Sequence, residues 1–580
     1  MIAGSPIDCA LSQALPLPAG AVLTGPVYRA PGYAKCTVPN NPYVPSVTNG
    51  ANANSYICND VYNPPNFYPS FVADAPAAMV VTSGPTQFVR VYCPQAGCSP
   101  VTAPNRSFMA EPSAIRGLTP AQIQSVLALP GLPSMITTVT AAAGSCVLTA
   151  WGAPAFGQAG GAQQFWLAGA PPTGANCNGL AFASPTIFTR QEMIGGHALW
   201  YQPLAGGGNA GAVATALDVG PYPQPFTAMD EVYKSLDLLN YVPVNGAADP
   251  GPLRAALVQL DGEIYADYPS VAIAAAQQSL AAVHTEMRAT DPAPTPIHAW
   301  LSVLGGGLSL SGNGDSHTLS AWMGGFAGGL EGRVSPALVG GVAVGYESGW
   351  LGAEGISGSG SSSTVSVTPY ARYAPGPWYV EGTLGYAYSW GRVNRSLSFV
   401  NAESFSSGVT FATRGSPTGN AFLSEAETGY RFDVGGGAAV TPFVGLQGIV
   451  YCGNGFVESG GGPVDLHVAS ATTSQWLGLL GGEVGYALPL GGAAPLQLTA
   501  RVAWAYDLSD TERSASAFLD GTPSLASFTV QGASVPRNAA LFSLSAVQRV
   551  AGLDLFARYE GAAGSGSYAQ SATAGVRFTF

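Results

Sequence analysis

The chain has 580 residues, a formal net charge of −12 and a charged fraction of only 9%, whereas about a quarter of the residues are charged in ordinary soluble proteins. Its only lysines are Lys35 and Lys234, so the basic patch that nucleic-acid binding requires is missing. No apolar run reaches the roughly 18 residues of a transmembrane helix, which excludes an α-helical membrane protein and leaves a closed β-barrel as the way to cross a bilayer.

The N-terminus lacks the features of a secretory signal. Residues 1–6 contain no basic residue, the first one being Arg29, and no sustained apolar stretch follows. If the C-terminal half lies in an outer membrane, an export signal is needed upstream. We therefore expect that the natural product carries a signal that this chain lacks, or that the true start lies further upstream.

Seven of the eight cysteines lie in the first 177 residues, which predicts disulfides in an exported domain. They are Cys9, Cys36, Cys58, Cys93, Cys98, Cys146 and Cys177, and Cys452 stands apart from them. The sequence leaves the pairing open, and an odd number leaves one thiol over. A zinc site at Cys93 and Cys98 is the weaker alternative, because no second Cys or His pair follows at ligand spacing.

Residues 1–226 are predicted to form a small, Cys-containing mixed α+β and loop-rich domain. Short β-like runs such as 78–81 and 87–92 are broken by turn residues. Thr119-Pro120-Ala121-Gln122 has the pattern of a helix start, and Pro130 ends that helix. The Gly-rich run 206–208 is interpreted as a loop.

Residues 227–296 are predicted to be a helical linker. A second helix start lies at Thr227, and a long Ala-rich helical pattern runs over 253–287 before the Pro-rich stretch 291–296. Within it, residues 270–288 combine strong helix formers with little bulk, which suits a barrel lumen. Its polar side chains would meet the inner wall, where charges such as Glu381, Arg558 and Arg577 could find partners.

From residue 297 to 580 the dominant signal is alternation of apolar with small or polar residues. In 380–390, the even positions are apolar or glycine and the odd positions are small or polar. Segments of this kind begin near residues 297, 319, 337, 363, 378, 420, 439, 473, 495, 538, 552 and 571. They predict a 12-stranded antiparallel transmembrane β-barrel, hence an all-β membrane fold for this half. A soluble barrel or sandwich is the alternative, but it would expose Tyr388 and Trp390 to water.

This C-terminal half resembles the barrel domain of the autotransporters, the type V secretion proteins of Gram-negative bacteria. The likeness rests on phrases such as Val367-Thr368-Pro369-Tyr370-Ala371, Thr441-Pro442-Phe443-Val444-Gly445 and Val576-Arg577-Phe578-Thr579-Phe580, and on their order and spacing. The resemblance implies an outer-membrane barrel that anchors the protein and translocates and displays residues 1–226, the passenger, at the cell surface.

The same resemblance assigns roles to two groups of residues. The terminal aromatic strand, with Val576, Phe578 and Phe580, would be recognised by the outer-membrane assembly machinery. A pore helix with its preceding linker would include Leu260, Gly262, Glu263, Ser270, Ala275 and Gln278. The chain departs from the family in its missing export signal, in its Cys-rich passenger and in the absence of a β-helix repeat.

The passenger offers few candidates for catalysis. His197 is the one histidine before residue 226, and no nucleophile phrase lies beside it. Gly314-Asp315-Ser316-His317 is similar to the first motif of secreted lipases, but it falls in a predicted turn between two barrel strands. We therefore expect no enzyme and no cofactor, and an adhesive or interaction passenger with an unknown surface ligand. The alternatives are an enzymatic or toxin-like passenger and a non-secreting channel.

Overall fold

The computed structural model describes most of the chain. The described residues are 15–17, 21–23, 27–30, 70–82, 86–92, 108–133, 135–141, 144–167, 186–192, 200–220, 223, 227–239, 249–289, 297–356, 358–399, 409–490 and 494–579. Two compact units are present. Unit 1 comprises Met1–Gly206, Ala214–Leu257 and Ser398–Thr410, and unit 2 comprises Gly207–Val213, Val258–Leu397 and Phe411–Phe580. The domain boundaries at residues 226 and 296 stay predictions.

Unit 1 contains two antiparallel sheets. Its strands are β1 (Ala21–Leu23), β2 (Tyr28–Arg29), β3 (Pro76–Thr82), β4 (Thr86–Tyr92), β5 (Phe108–Met109), β6 (Met135–Ala141), β7 (Cys146–Trp151), β8 (Gln163–Leu167) and β9 (Thr186–Glu192). One sheet has the order β1-β3-β7-β8-β5, with β2 paired to β3, and the other has the order β4-β6-β9. Buried Phe88 and Val139 of the second sheet pack with Val80, Val147 and Phe165 of the first.

A short helix, α1 (Pro120–Val126), covers the other side of the three-stranded sheet through Ile123. The Thr119 hydroxyl accepts a hydrogen bond from the Gln122 backbone, and the Gln122 side chain accepts one from the Thr119 backbone. This reciprocal capping box is the helix start predicted from the sequence. The mixed α+β character predicted for the N-terminal region is therefore confirmed.

Cys146 is disulfide-bonded, in agreement with the expected disulfides. The six other N-terminal cysteines and His197 lie outside the described residues. Disulfides at those six positions stay predictions.

Two helical predictions need correction. Helices α2 (Gln202–Ala205) and α3 (Gly208–Val219) occupy a region interpreted as loop, because its glycines concealed the Ala-rich sequence after them. The pattern over 253–287 is two helices, α5 (Gly251–Asp261) and α6 (Ile264–Ala289), since Gly262 adopts a φ of +70° between them. Between α3 and α5 lies α4 (Ala228–Leu239), which begins where the sequence predicted. Among the described residues, no helix is both long enough and apolar enough to span a bilayer.

Unit 2 is built around twelve long antiparallel strands, as predicted. They are β10 (Ile297–Leu310), β11 (Leu319–Ser335), β12 (Leu338–Ala353), β13 (Gly358–Tyr373), β14 (Trp378–Phe399), β16 (Thr418–Tyr430), β18 (Ala438–Gly453), β21 (Ala471–Leu488), β22 (Leu496–Asp507), β25 (Asn538–Val550), β26 (Leu553–Gly564) and β27 (Ser567–Thr579). The short strands β15 (Val409–Gly415) and β17 (Phe432–Gly435) join the same sheet.

The sheet closes because the first and last long strands pair. β10 pairs with β27 from His298–Thr579 to Leu310–Ser567, and β13 pairs with β14 on the opposite side. Closure gives each of the twelve long strands two hydrogen-bonded neighbours. Short turns such as 374–377 join the strands at one end, and long loops join them at the other.

Two long loops form a small sheet of their own at the long-loop end. Its strands are β19 (Phe456–Val457), β20 (Leu466–Val468), β23 (Ser514–Leu519) and β24 (Phe528–Gln531), in that order. Some barrel strands extend well toward this end; β14, for example, has 22 residues and runs to Phe399.

The two faces of the barrel wall match the predicted register. Leu384 on the outer face is 67% exposed, while Thr383 and Glu381 on the inner face are 4% and 2% exposed. On β27, Phe578 lies on the outer face and Arg577 is buried on the inner face. The outer face is therefore apolar and fits lipid, whereas the inner face is polar.

Exposed aromatic residues lie toward both ends of the outer face. Toward the short turns they are Tyr373, Trp378, Tyr430 and Phe432, and toward the long loops they are Trp322, Trp350, Trp504 and Tyr568. Such aromatic girdles mark the two membrane interfaces of outer-membrane barrels. The wall thus carries the pattern of a transmembrane barrel on both faces and at both ends.

We predict that Leu384→Arg impairs barrel assembly, because an arginine facing lipid costs about 2 to 4 kcal/mol at mid-bilayer. The matched control is Ser543→Arg, which places the same side chain on the inner face next to a cavity. The measurement is the yield of the heat-modifiable folded band in outer-membrane fractions. Equal yields for the two variants would contradict the assignment of the faces.

Candidate functional site

Helix α6 lies inside the barrel. Its side chains form hydrogen bonds or ion pairs with wall residues on β12, β14, β16, β21, β26 and β27. Near its start, the backbone N–H of Ala533 in a long loop donates to Asp267, and near its end Arg372 donates to the carbonyl of Met287. Its 26 residues span about 39 Å at roughly 1.5 Å per residue. The predicted pore helix is therefore confirmed, and it runs from the long-loop end to the short-turn end.

Arg288 is the most highly connected residue of this helix. Its guanidinium contacts Glu381 at 3.0 Å and also pairs with Glu427 and Glu483. The three carboxylates come from β14, β16 and β21, and Tyr379 accepts a further hydrogen bond at 3.2 Å. One arginine thus ties the helix to three wall strands.

His284 and Arg501 complete this cluster. His284 contacts Glu381 and lies 3.5 Å from Glu425. Arg501 pairs with Glu427 from the opposite side, and its guanidinium stacks 3.4 Å from the centre of the Phe443 ring. We call His284, Arg288, Glu381, Glu427, Glu483 and Arg501 the lumen knot. Because these charges are mostly buried, each depends on its partners for stabilisation.

The lumen knot has the donor atoms of a metal site but not the electrostatics of one. His284, Glu381 and Glu427 each place one ligand atom within 4.8 Å of the others. However, Arg288 pairs with both carboxylates and Arg501 with one of them. A metal ion at this position would face two guanidinium groups, so the arrangement fits an ion-pair cluster better than a metal centre.

The rest of α6 combines charged contacts with a small-residue surface. Glu286 accepts from Arg577 at 2.6 Å, and Ser279 donates to Glu347 at 2.9 Å. Arg558 donates to Thr285 at 3.0 Å. Buried alanines, namely Ala272, Ala275, Ala276 and Ala282, allow the helix to approach the wall closely. The wall charges that the sequence predicted as partners, Glu381, Arg558 and Arg577, all contact this helix.

The helix does not fill the lumen completely. A cavity of about 200 Å³ remains between α6 and the strands β22, β25, β26 and β27. Gln277, Gln278 and His284 line it from the helix, and Arg501 and Arg558 line it from the wall. The lumen therefore keeps a small cavity beside the helix, with polar side chains in its lining.

The predicted linker and pore residues fall at the helix junction and along α6. Leu260 is buried at the end of α5, Gly262 forms the left-handed turn, and Glu263 is fully buried. Ser270 accepts from Arg513 at 3.3 Å, Ala275 packs on the wall, and Gln278 borders the cavity. Val576 and Phe578 lie on the outer face of β27, and Phe580 lies outside the described residues. Their functional roles stay predictions.

A cluster around residues 258–268, the junction segment, was not predicted from the sequence. Arg395 forms a two-pronged ion pair with Glu458 at 2.8 and 2.6 Å, and Tyr265 donates to the same carboxylate at 2.5 Å. Glu263 accepts from the backbone N–H of His317 and pairs with its ring at 2.8 Å. We call the surrounding loop residues His317, Arg395, Glu458, Leu466 and Ala533 the collar.

The position of His317 confirms one part of the sequence interpretation and extends it. Residues 314–317 lie in the connection between β10 and β11, so the lipase-like phrase is a turn. Its histidine has a structural partner in Glu263. Glu263 and His317 are 54 positions apart in the chain, so no local sequence pattern indicates this contact.

We predict that Arg288→Met strongly weakens the barrel, because removing one partner of a buried ion cluster costs about 3 to 5 kcal/mol. The control is Arg431→Met, since the Arg431–Asp433 pair is 59% and 77% exposed and such pairs contribute about 0 to 1 kcal/mol. The measurement is the temperature at which the folded band is lost on gels. Similar decreases for both variants would show that the lumen knot does not stabilise the barrel.

The junction segment should loosen as the pH rises. Burial raises the pKa of the Asp261 carboxyl to about 7, and the hydrogen bond to Glu263 raises the pKa of the His317 imidazole. Both groups bind protons more tightly in the closed collar than in an open one. The contribution of Asp261 to the stability of the closed collar therefore decreases from about pH 4 to pH 7. The contribution of His317 to the same stability is lost as the pH rises through its raised pKa.

Hydrogen exchange of the amides at 259–268, corrected for intrinsic rates, measures this effect. Protection should decrease from pH 5 to pH 9, and Asp261→Asn should reduce the slope. His467→Gln, which changes a half-exposed histidine paired with Asp520, should leave the slope unchanged. Protection that is constant or increases with pH would be inconsistent with these pKa directions.

Among the solved structures similar to the chain are three with 13 to 18% identity. The translocator domain of NalP from Neisseria meningitidis has a TM-score of 0.44 at 17% identity, with 55% of this chain and 100% of that chain covered. The β-domain of BrkA from Bordetella has a TM-score of 0.35 at 18% identity, with 49% of this chain and 100% of that chain covered. The transport unit of AIDA-I from Escherichia coli has a TM-score of 0.33 at 13% identity, with 52% of this chain and 98% of that chain covered. All three TM-scores are below one half.

No curated protein matches the chain. The model of the autotransporter β-domain matches residues 299–560, which include most of the twelve-stranded wall. Residues 299–560 are therefore an autotransporter β-domain, and its barrel fold indicates the outer membrane as the location of this part of the chain.

Proposed function

We propose that the barrel anchors this protein in the outer membrane and displays its N-terminal passenger at the cell surface. The observation that carries the proposal is the direction of α6. The helix begins among the long loops, where Asp267 accepts from Ala533, and ends near the short turns, where Met287 accepts from Arg372. Long loops of outer-membrane barrels are extracellular and short turns are periplasmic. The chain that precedes α6 is thus expected outside the cell.

The structure of unit 1 supports a folded passenger. Arg116 is buried between the rings of Tyr201 and Tyr233, at 3.7 and 4.7 Å from their centres, and pairs with Asp218 and Asp237. These partners raise the pKa of Arg116, and burial raises the pKa of Tyr233 to about 12. The arginine therefore stays charged and fastens the segment after β5 to α3 and α4. We assign the passenger an adhesive or interaction role with an unidentified surface ligand.

The lumen contacts favour display over a channel as the main role. A channel for solutes needs an open path, whereas α6 is held inside the barrel by the lumen knot at one end and the collar at the other. An enzymatic or toxin-like passenger remains the second candidate for the N-terminal part. A substrate panel on the purified passenger, with His197→Ala as a control, distinguishes that candidate from adhesion.

Two partners follow from the same proposal. The lipid bilayer would contact the apolar belt of the wall. The outer-membrane assembly machinery would recognise the terminal strand through Val576, Phe578 and Phe580, of which Phe578 is exposed on the outer face. This recognition is carried over from the family resemblance.

Protease treatment of intact cells tests the proposal. Externally added protease should remove the passenger, detected with antibodies against unit 1, while a barrel fragment remains in the outer membrane. A periplasmic protein in the same cells is the control for membrane integrity. A passenger that is cut only after permeabilisation would place it in the periplasm and reject surface display.

A further inference from the structure

We infer that the collar shields the junction segment from proteases, so that any cleavage that separates the passenger from the folded barrel falls before residue 258. This inference rests on the proposed display of the passenger. It adds that any cut must fall before residue 258 and that release by cleavage within 258–268 does not occur while the barrel is intact.

Burial of the junction segment is the first support. Seven of its residues are between 0% and 2% exposed: Leu260, Asp261, Glu263, Ile264, Ala266, Asp267 and Tyr268. Just before it, Gly251, Pro252, Arg254 and Ala255 in α5 are exposed. Proteases act on exposed or locally unfolded chain. The boundary between accessible and protected backbone therefore lies within α5.

Loops from different parts of the barrel hold this segment. The turn after β10 contributes His317, the end of β14 contributes Arg395, and the two loops of the small sheet contribute Glu458 and Ala533. Arg395 also donates to the carbonyl of Gln259 at 2.9 Å. Since these contacts surround the chain, exposing it requires several loops to move together.

The turn at Gly262 packs closely against the small sheet. Its φ is +70°, and a Cβ there would lie 2.3 Å from Cδ1 of Leu466. The segment is therefore fixed in a bent conformation and packed against the small sheet. A protease binds its substrate as an extended chain, so cleavage here requires the collar to open first.

The Arg395–Glu458 pair is the main barrier to opening. Glu458 accepts bonds from Arg395, Tyr265, Thr413 and the backbone N–H of Leu466, at 2.5 to 3.0 Å. The ionic side chains are 5% and 0% exposed. Disruption of a buried, hydrogen-bonded pair exposes charge that has lost its partner. Local opening of the collar is expected to become much more frequent once this pair is removed.

The experiment is limited proteolysis of the full-length chain in outer membranes, with the new N-termini identified by mass spectrometry. For the unaltered protein, the barrel fragment should begin before residue 258. In Glu458→Gln, cleavage within 258–268 should appear and become roughly a hundredfold faster, because cleavage follows the population of the open form. The matched control is Asp520→Asn, which removes an exposed partner of His467 in the same loops and should leave the cleavage pattern unchanged.

Two readouts keep the result unambiguous. Retention of the heat-modifiable band shows that a variant still has a folded barrel. If Glu458→Gln fails to fold, Tyr265→Phe removes one hydrogen bond from the same carboxylate and should give a smaller increase, of about tenfold for roughly 1.4 kcal/mol. A barrel fragment of the unaltered protein that begins within 258–268, or equal rates for Glu458→Gln and Asp520→Asn, would overturn the inference.

Failure of surface display gives a different result. If the passenger is periplasmic, intact cells show no cleavage at all, and the junction segment is still tested in isolated membranes open on both sides. Protection there, without cleavage on intact cells, rejects display and leaves the shielding established. Rapid cleavage in the junction segment rejects the shielding, whatever the topology.

Discussion

The seam between β10 and β27 is the constraint on which the rest of unit 2 depends. Lipid offers no hydrogen-bond partners, so the sheet can span a bilayer only if its first and last strands pair. Once the twelve strands form a closed ring, alternate side chains of each strand lie on opposite faces of the wall. Every odd or even position along a strand then lies either toward lipid or toward the lumen, as Leu384 and Thr383 do.

Closure creates a second requirement inside the ring. A narrow polar lumen places wall charges such as Glu381 and Glu427 where little water reaches them, and each needs a partner. Helix α6 supplies these partners, because Arg288 and His284 lie one turn apart on the same face of the helix. The helix and the wall thus neutralise one another, and neither is electrostatically complete alone. Buried alanines such as Ala275 and Ala276 let the helix approach the wall closely enough for these contacts.

The barrel was predictable from sequence because lipid requires apolar side chains at every second position of a membrane-spanning strand. In 380–390 alternation gave the correct face for each residue, and the Ala-rich pattern of 270–288 indicated the lumen helix. Helix α3 was missed because glycine at its start outweighed the alanines that follow. The collar was also missed, since Arg395 lies near the end of β14 and Glu458 in a loop 63 positions further along the chain. Contacts between distant loops depend on three-dimensional closure, which no local pattern encodes.

The buried position of the lumen knot has a consequence for the environment in which the protein works. Ions in solution screen charges that they can surround, over about 8 Å at physiological ionic strength. Arg288 and its partner carboxylates are enclosed by wall and helix, so dissolved salt has little access to them. The attachment of the helix should consequently hold in dilute fresh water and in concentrated brine alike, which gives this anchor a tolerance to salinity that surface ion pairs lack.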